Sequence, residues 1–110
     1  MKLPNGEQAV VEIAKLRDYC LCGDHPRGRH KARVFASALG LTANDSEVLR
    51  DALLEAARAQ EATATDHDEY GQRYVVDFIM IGPAGRAKVR SSWIMRAEDD
   101  VPRLTSCYVL

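Results

Sequence analysis

The apolar residues of this chain change period once, and that single change limits what the chain can fold into. Up to about residue 60 they recur at helical spacing. Ile13, Leu16, Cys20 and Leu21 form one stripe; Val34, Phe35, Ala38 and Leu39 form a second; Leu49, Leu53, Leu54 and Ala57 form a third. Beyond Tyr70-Gly71 the pattern shortens to two. Gln72–Ile81 is rich in branched and aromatic residues, and Arg86–Arg96 sets Ala87, Val89, Ser91, Trp93 and Met95 against Lys88, Arg90, Ser92 and Arg96. Gly82-Pro83-Ala84-Gly85 and the polar run Ala97–Pro102 supply turns, and Arg103–Leu110 reads as a last strand.

Helices first and hairpin-linked strands second predict an α+β layer fold: about three helices on a three- to four-stranded antiparallel meander, in one domain over residues 1–110. Helix ends are expected near Cys22-Gly23 and at Gly40, where glycine closes a helix, and Thr42-x-x-Asp45 offers a cap for the third helix, Ser46–Gln60. Val10-Val11 reads as a brief strand or a hydrophobic staple. Ala62–Thr65 can add a further strand, with Asp66–Glu69 as an acidic connection.

The chain has 110 residues, 46% of them apolar, enough for one core without staples. It contains no apolar run of bilayer length, and its start lacks the apolar stretch of a signal peptide, so a cytoplasmic protein with no membrane partner is expected. A net charge of −1 argues against a protein that coats nucleic acid. Basic residues are nevertheless clustered: Arg27, Arg29, Lys31 and Arg33 in one group, Arg86, Lys88 and Arg90 in another. Three cysteines, Cys20, Cys22 and Cys107, suggest reduced thiols. Cys20-x-Cys22-x2-His25-x4-His30 contains four zinc-ligand types, but C-x-C sends its thiols in different directions, so neither a metal nor another cofactor is expected.

Lys31 departs from this ordinary pattern. It occupies the first place in the apolar stripe completed by Val34, Phe35, Ala38 and Leu39, just after the breaker His25-Pro26-Arg27-Gly28. An ammonium on the core side of a positively polarised helix start suits an anion, above all a phosphate. The competing reading is that Lys31 lays its methylenes over the core and leaves its amine in water.

The segment His25–Phe35, with Tyr70–Tyr74, Ser92-Trp93-Ile94 and Pro102–Tyr108, resembles a small bacterial domain family over nearly the whole chain. More loosely, helices followed by a meander resemble the barnase, EndoU, colicin and RelE group of ribonucleases, many of them toxins. That resemblance implies metal-independent RNA cleavage by 2′-hydroxyl attack on the adjacent phosphate, with RNA and a cognate antitoxin or immunity protein as partners. On this reading His30 serves as base or acid, Lys31 and Arg90 hold the phosphate, and Thr105 and Tyr108 donate hydrogen bonds. Arg29, Arg33, Arg73 and Arg103 bind substrate, while Tyr74 or Trp93 stacks a base.

Each residue also has a structural reading. Arg73 and Arg90 suit cross-strand ion pairs, Trp93, Tyr74 and Phe78 suit the core, His25 a turn, and His67 a solvated position. The alternative function is a non-catalytic antitoxin, immunity protein or adaptor that docks through the open edge of Arg103–Leu110. A second copy of the chain could use the same edge. A nucleotide-binding enzyme is disfavoured because the chain has no glycine-rich phosphate loop. The readings divide on geometry: a catalytic Lys31 and His30 should face Arg90, Thr105 or Tyr108 across a groove, whereas a structural Lys31 should point into solvent.

Overall fold

A computed structural model describes residues 1–110. Helix α1 (Ile13–Lys15) runs straight into a wide π-turn, Leu16–Cys20, and the segment ends there, close to the predicted stop. Helices α2 (Arg29–Leu39) and α3 (Ser46–Ala59) follow. Gly40 ends α2 at φ 73°, a left-handed conformation that glycine adopts without strain. Thr42 and Asp45 form the expected reciprocal cap at the entrance to α3.

Four strands complete the chain: β1 (Ala62–Asp68), β2 (Gly71–Gly82), β3 (Gly85–Arg96) and β4 (Arg103–Val109). They pair antiparallel in sequence order, so the sheet is a plain meander in an α+β fold. No helix is long and apolar enough to cross a membrane. β1 is longer than expected. The acidic run predicted as a connection belongs largely to the strand, because a bulge between Ala64 and His67 carries pairing on to Asp68↔Gly71.

The sheet has one dry face and one wet face. Tyr74, Val76, Phe78 and Met80 of β2 lie opposite Trp93, Ser91, Val89 and Ala87 of β3, and this face packs beneath Leu16, Phe35, Leu39, Leu49 and Leu53. The close approach is visible at Gly82, where a Cβ would lie 2.2 Å from the Leu39 carbonyl oxygen, so only glycine lets the β2–β3 hairpin abut the end of α2. Trp93 is wholly buried and its indole N–H is satisfied: it donates to Ser91 Oγ at 2.9 Å, while the Ser91 hydroxyl donates to the Val76 carbonyl at 2.7 Å. On the wet face Asp77 lies opposite Arg90, which lies opposite Tyr108.

The outer edge of β4 is not open along its first half. Val10 forms a parallel bridge with Arg103: Val10 N–H donates to Pro102 O at 2.9 Å and Leu104 N–H donates to Val10 O at 3.0 Å. The Lys15 ammonium donates to Leu104 O at 3.3 Å, and the Cys107 N–H points at the Cys20 sulfur. This narrows the expectation of a C-terminal strand with unpaired donors: the groups of Pro102 and Leu104 are taken up by the N-terminal segment. The N-terminal segment already occupies those groups, because an unpaired edge beside buried residues would leave polar atoms unsatisfied.

Replacing Ser91 with alanine leaves the Trp93 N–H buried without an acceptor. Ser91→Ala should lower unfolding free energy by about 1–3 kcal/mol, whereas Ser92→Ala on the wet face should cost less than about 0.5 kcal/mol. Urea titration of the two variants against wild type measures both, and equal effects would contradict the role given to Ser91.

Candidate functional site

Lys31 projects from the first turn of α2 around the outer edge of β4. Its ammonium donates to Ser106 Oγ at 3.1 Å and lies 5.2 Å from the ring centre of Tyr108 and 5.8 Å from that of Tyr19. A hydroxyl and two aromatic faces therefore hold the charge, and no carboxylate neutralises it. Several strand arginines are treated differently. Arg73 pairs with Asp68, Arg96 with Asp99, and Arg103 with Asp99 and, more loosely, Glu12.

Helix geometry explains the placement. Positions 31, 34, 35, 38 and 39 share a face, and Phe35 and Leu39 are fully buried on it, so the packing that seats them carries Lys31 to the sheet edge. Ser106 and Tyr108 alternate with the buried Cys107, which puts their side chains together on the wet face. The turn that leads into the helix is held by His25. His25 Nδ1 accepts hydrogen bonds from the N–H groups of Arg27 and Gly28, each at 3.1 Å, and its carbonyl accepts from Arg29 N–H at 2.8 Å. His25 is thus a turn residue, as expected, and its carbonyl takes the first N–H of α2. Its ring meets Tyr19 edge-on at 4.6 Å between centroids, so Nδ1 is the acceptor and the neutral ring carries its proton on Nε2.

Of the residues predicted for the site, Lys31, Tyr108 and Arg90 come together. Arg90 donates to both oxygens of Asp77 at 2.9 Å; that carboxylate, with a smaller contribution from the Tyr108 hydroxyl, raises the guanidinium further above its ordinary range. Arg90 in turn holds the Asp77 carboxyl below the usual carboxylate range. Thr105 is adjacent but ties its hydroxyl to the Ser92 carbonyl at 3.0 Å. His30 is exposed on α2, and Arg29 and Arg33 line a different groove with Leu21 and Thr42. Trp93 and Tyr74 lie in the core, so the expectation that either stacks a base is corrected: neither offers a free ring face.

The residues that sequence reasoning missed are Ser106, Tyr19 and Lys15. Tyr19 and Lys15 line a groove of about 430 Å³ with Glu12 and Thr105 beside the Lys31 cluster. Alternation along the last strand places Ser106 and Tyr108 on one face, and that was the available signal; nothing local relates Tyr19 to a strand that begins at Arg103.

Beneath Lys31, two thiols meet. Cys20 and Cys107 are buried, with the Cys107 thiol and backbone N–H facing the Cys20 sulfur. These donors, aided by the ammoniums of Lys31 and Lys15, bring Cys20 down to about 7. Cys107 moves the other way, because its proton is engaged by Cys20 and burial disfavours a second charge. Cys20, Cys22, His25 and His30 do not converge as a ligand set.

A folded-state value below the ordinary 9.0 means that ionising Cys20 adds stability as pH rises from about 7 to 9, and that this contribution is absent below 7. Thiolate absorbance should therefore show one group titrating near 7 in the folded protein. Lys31→Met should move it upward, and an unchanged titration would place the Lys31 charge elsewhere.

Comparison with known proteins supplies the relatives. No curated protein matches the chain. Among solved structures the fold is similar to a chain of a contact-dependent growth inhibition toxin–immunity protein complex from Klebsiella pneumoniae 342, with a TM-score of 0.72 and 16% sequence identity over 92% of this chain and 99% of that one. At that identity the likeness is one of fold. The family model described as "Domain of unknown function (DUF6883)" matches residues 2–110, and the chain belongs to that family.

Proposed function

We propose that this protein is the RNA-cleaving member of a toxin and cognate-partner pair, with Lys31 as its phosphate clamp. The observation that carries the reading is the state of Lys31: a half-buried ammonium, fixed by Ser106 and two tyrosine rings, without a counterion. A cation held in place beside hydroxyl donors is preorganised for the charge of a pentacoordinate phosphate, and no reorganisation is needed as that charge develops. The fold shared with a chain of a toxin–immunity complex supports a toxin-related setting and a protein partner.

In this mechanism the RNA 2′-hydroxyl loses its proton and attacks the adjacent phosphorus. The bond to the 5′-oxygen breaks, leaving a cyclic phosphate and a 5′-hydroxyl that takes up a proton. Lys31 binds the non-bridging oxygens, and the Tyr108 and Ser106 hydroxyls donate to the same group. The 2′-hydroxyl proton passes to water and the 5′-oxygen takes its proton from water; His25, whose Nδ1 accepts from Arg27 and Gly28, offers Nε2–H as a hydrogen-bond donor only, and His30 lies on the exposed side of α2. Arg90 orients Tyr108 rather than binding phosphate directly, since Asp77 already occupies its guanidinium.

Induced expression of wild type should arrest growth, and the purified protein should nick RNA without added metal. Lys31→Met should lower cleavage about 10²- to 10³-fold while keeping the wild-type circular dichroism spectrum, and Tyr108→Phe should lower it less. His30→Ala should stay near wild type. Harmless expression together with intact RNA after incubation with purified wild type would overturn the proposal.

A further inference from the structure

The two thiols beneath Lys31 take no part in the proposed cleavage. Cys20 closes the π-turn of the N-terminal segment, and Cys107 is a buried residue of β4 flanked by Ser106 and Tyr108. Most of the chain lies between them, yet they meet: the Cys107 thiol and N–H both face the Cys20 sulfur, and neither residue is exposed. The π-turn is held in place on both sides of this contact. Lys15, just before it, donates to the Leu104 carbonyl at 3.3 Å, and the Leu21 N–H, just after it, donates to the Leu16 carbonyl at 2.8 Å.

A free cysteine packed among aliphatic side chains is normally inert, because its thiol stays protonated. Here a second sulfur faces the first, and two ammoniums bring positive charge to it. The Cys107 donors, with Lys31 and Lys15, hold Cys20 at about 7, so near neutral pH much of it is thiolate while Cys107 keeps its proton. A thiolate beside a protonated thiol is the arrangement of an attacking and a resolving cysteine. Cys22 is the internal contrast. It lies past the π-turn, half-buried, outside the core cluster that contains the other two.

We propose that Cys20 and Cys107 are an oxidisable pair, which a hydroperoxide converts to a disulfide that clasps the N-terminal segment to β4. The Cys20 thiolate attacks one oxygen of the hydroperoxide; the O–O bond breaks, the sulfur becomes a sulfenic acid, and the leaving oxygen takes up a proton as water or an alcohol. The Cys107 sulfur then displaces the sulfenic hydroxyl, which departs with the Cys107 proton as water. Two electrons pass from the sulfurs to the peroxide, and a dithiol reverses the link. Cys20 is closed to solvent, so the peroxide enters when the short segment of α1 and the π-turn lifts from β4, and the disulfide then holds that segment down. Because the link encloses most of the chain, it also restricts the unfolded state strongly.

The test treats the reduced full chain with hydrogen peroxide and follows it by intact mass and by peptide mapping without reductant. The mass should fall by the two hydrogens lost, and N-ethylmaleimide added after denaturation should label one cysteine instead of three. The map should join Cys20 to Cys107 and leave Cys22 as the labelled residue. The thermal midpoint should rise by about 10 °C and return when dithiothreitol is added. Cys22→Ser should form the same link at the same rate. The inference is overturned if the chain stays reduced, if the mass gains oxygen instead of losing hydrogen, if Cys22 belongs to the link, or if the midpoint does not rise. None of these outcomes depends on whether the protein cleaves RNA.

Discussion

The closure of the β4 edge by the N-terminal segment is the interaction on which the candidate site depends. A four-stranded meander has two edges, and an uncovered edge beside a core exposes a row of donors and acceptors. Here Val10, Lys15 and Cys20 satisfy the β4 groups around Leu104 and Cys107, which fixes the π-turn against the strand. That contact brings Tyr19 next to Lys31, and the packing of Phe35 and Leu39 brings Lys31 to Ser106 and Tyr108. The site is therefore a consequence of edge protection, assembled where three parts of the chain meet.

Electrostatics then separates Lys31 from the arginines of the wet face. Arg73, Arg90, Arg96 and Arg103 lie on strands opposite or near carboxylates and are paired, so they hold the wet face together. Exposed pairs of this kind contribute little each, but they remove those side chains from competition for a ligand. Lys31 has aromatic rings and a hydroxyl instead, and its charge also bears on the Cys20 thiol below it. Lys31 therefore keeps a charge that no carboxylate neutralises.

Much of the fold was legible in advance. The stripe ending at Leu39, the Thr42–Asp45 cap and the Gly82–Gly85 hairpin were read correctly because each is set by residues within a turn or two of one another. The extent of β1 was not, since a bulge and cross-strand pairing, rather than its polar composition, make Asp66–Asp68 a strand. In the candidate site, Lys31 facing the last strand was anticipated and Ser106 was not. Of the two readings the sequence allows for Arg90 and for Trp93, the cross-strand pair with Asp77 and the core position beside Ser91 are the ones the fold shows. Alternation tells which residues lie on one face, and only the neighbouring strand tells what they meet there.

The sequence by itself determined the class of fold, the order of its elements and the odd position of Lys31, because hydrophobic period and turn chemistry act over a few residues. Tertiary structure decided which strand edge is covered and which cations remain unpaired. Lys31 and Ser106 are 75 positions apart, and Cys20 meets Cys107 across most of the chain. Contacts of that span form only when the helices settle on the sheet, since they arise from burying a shared apolar face and not from any preference of the residues that touch.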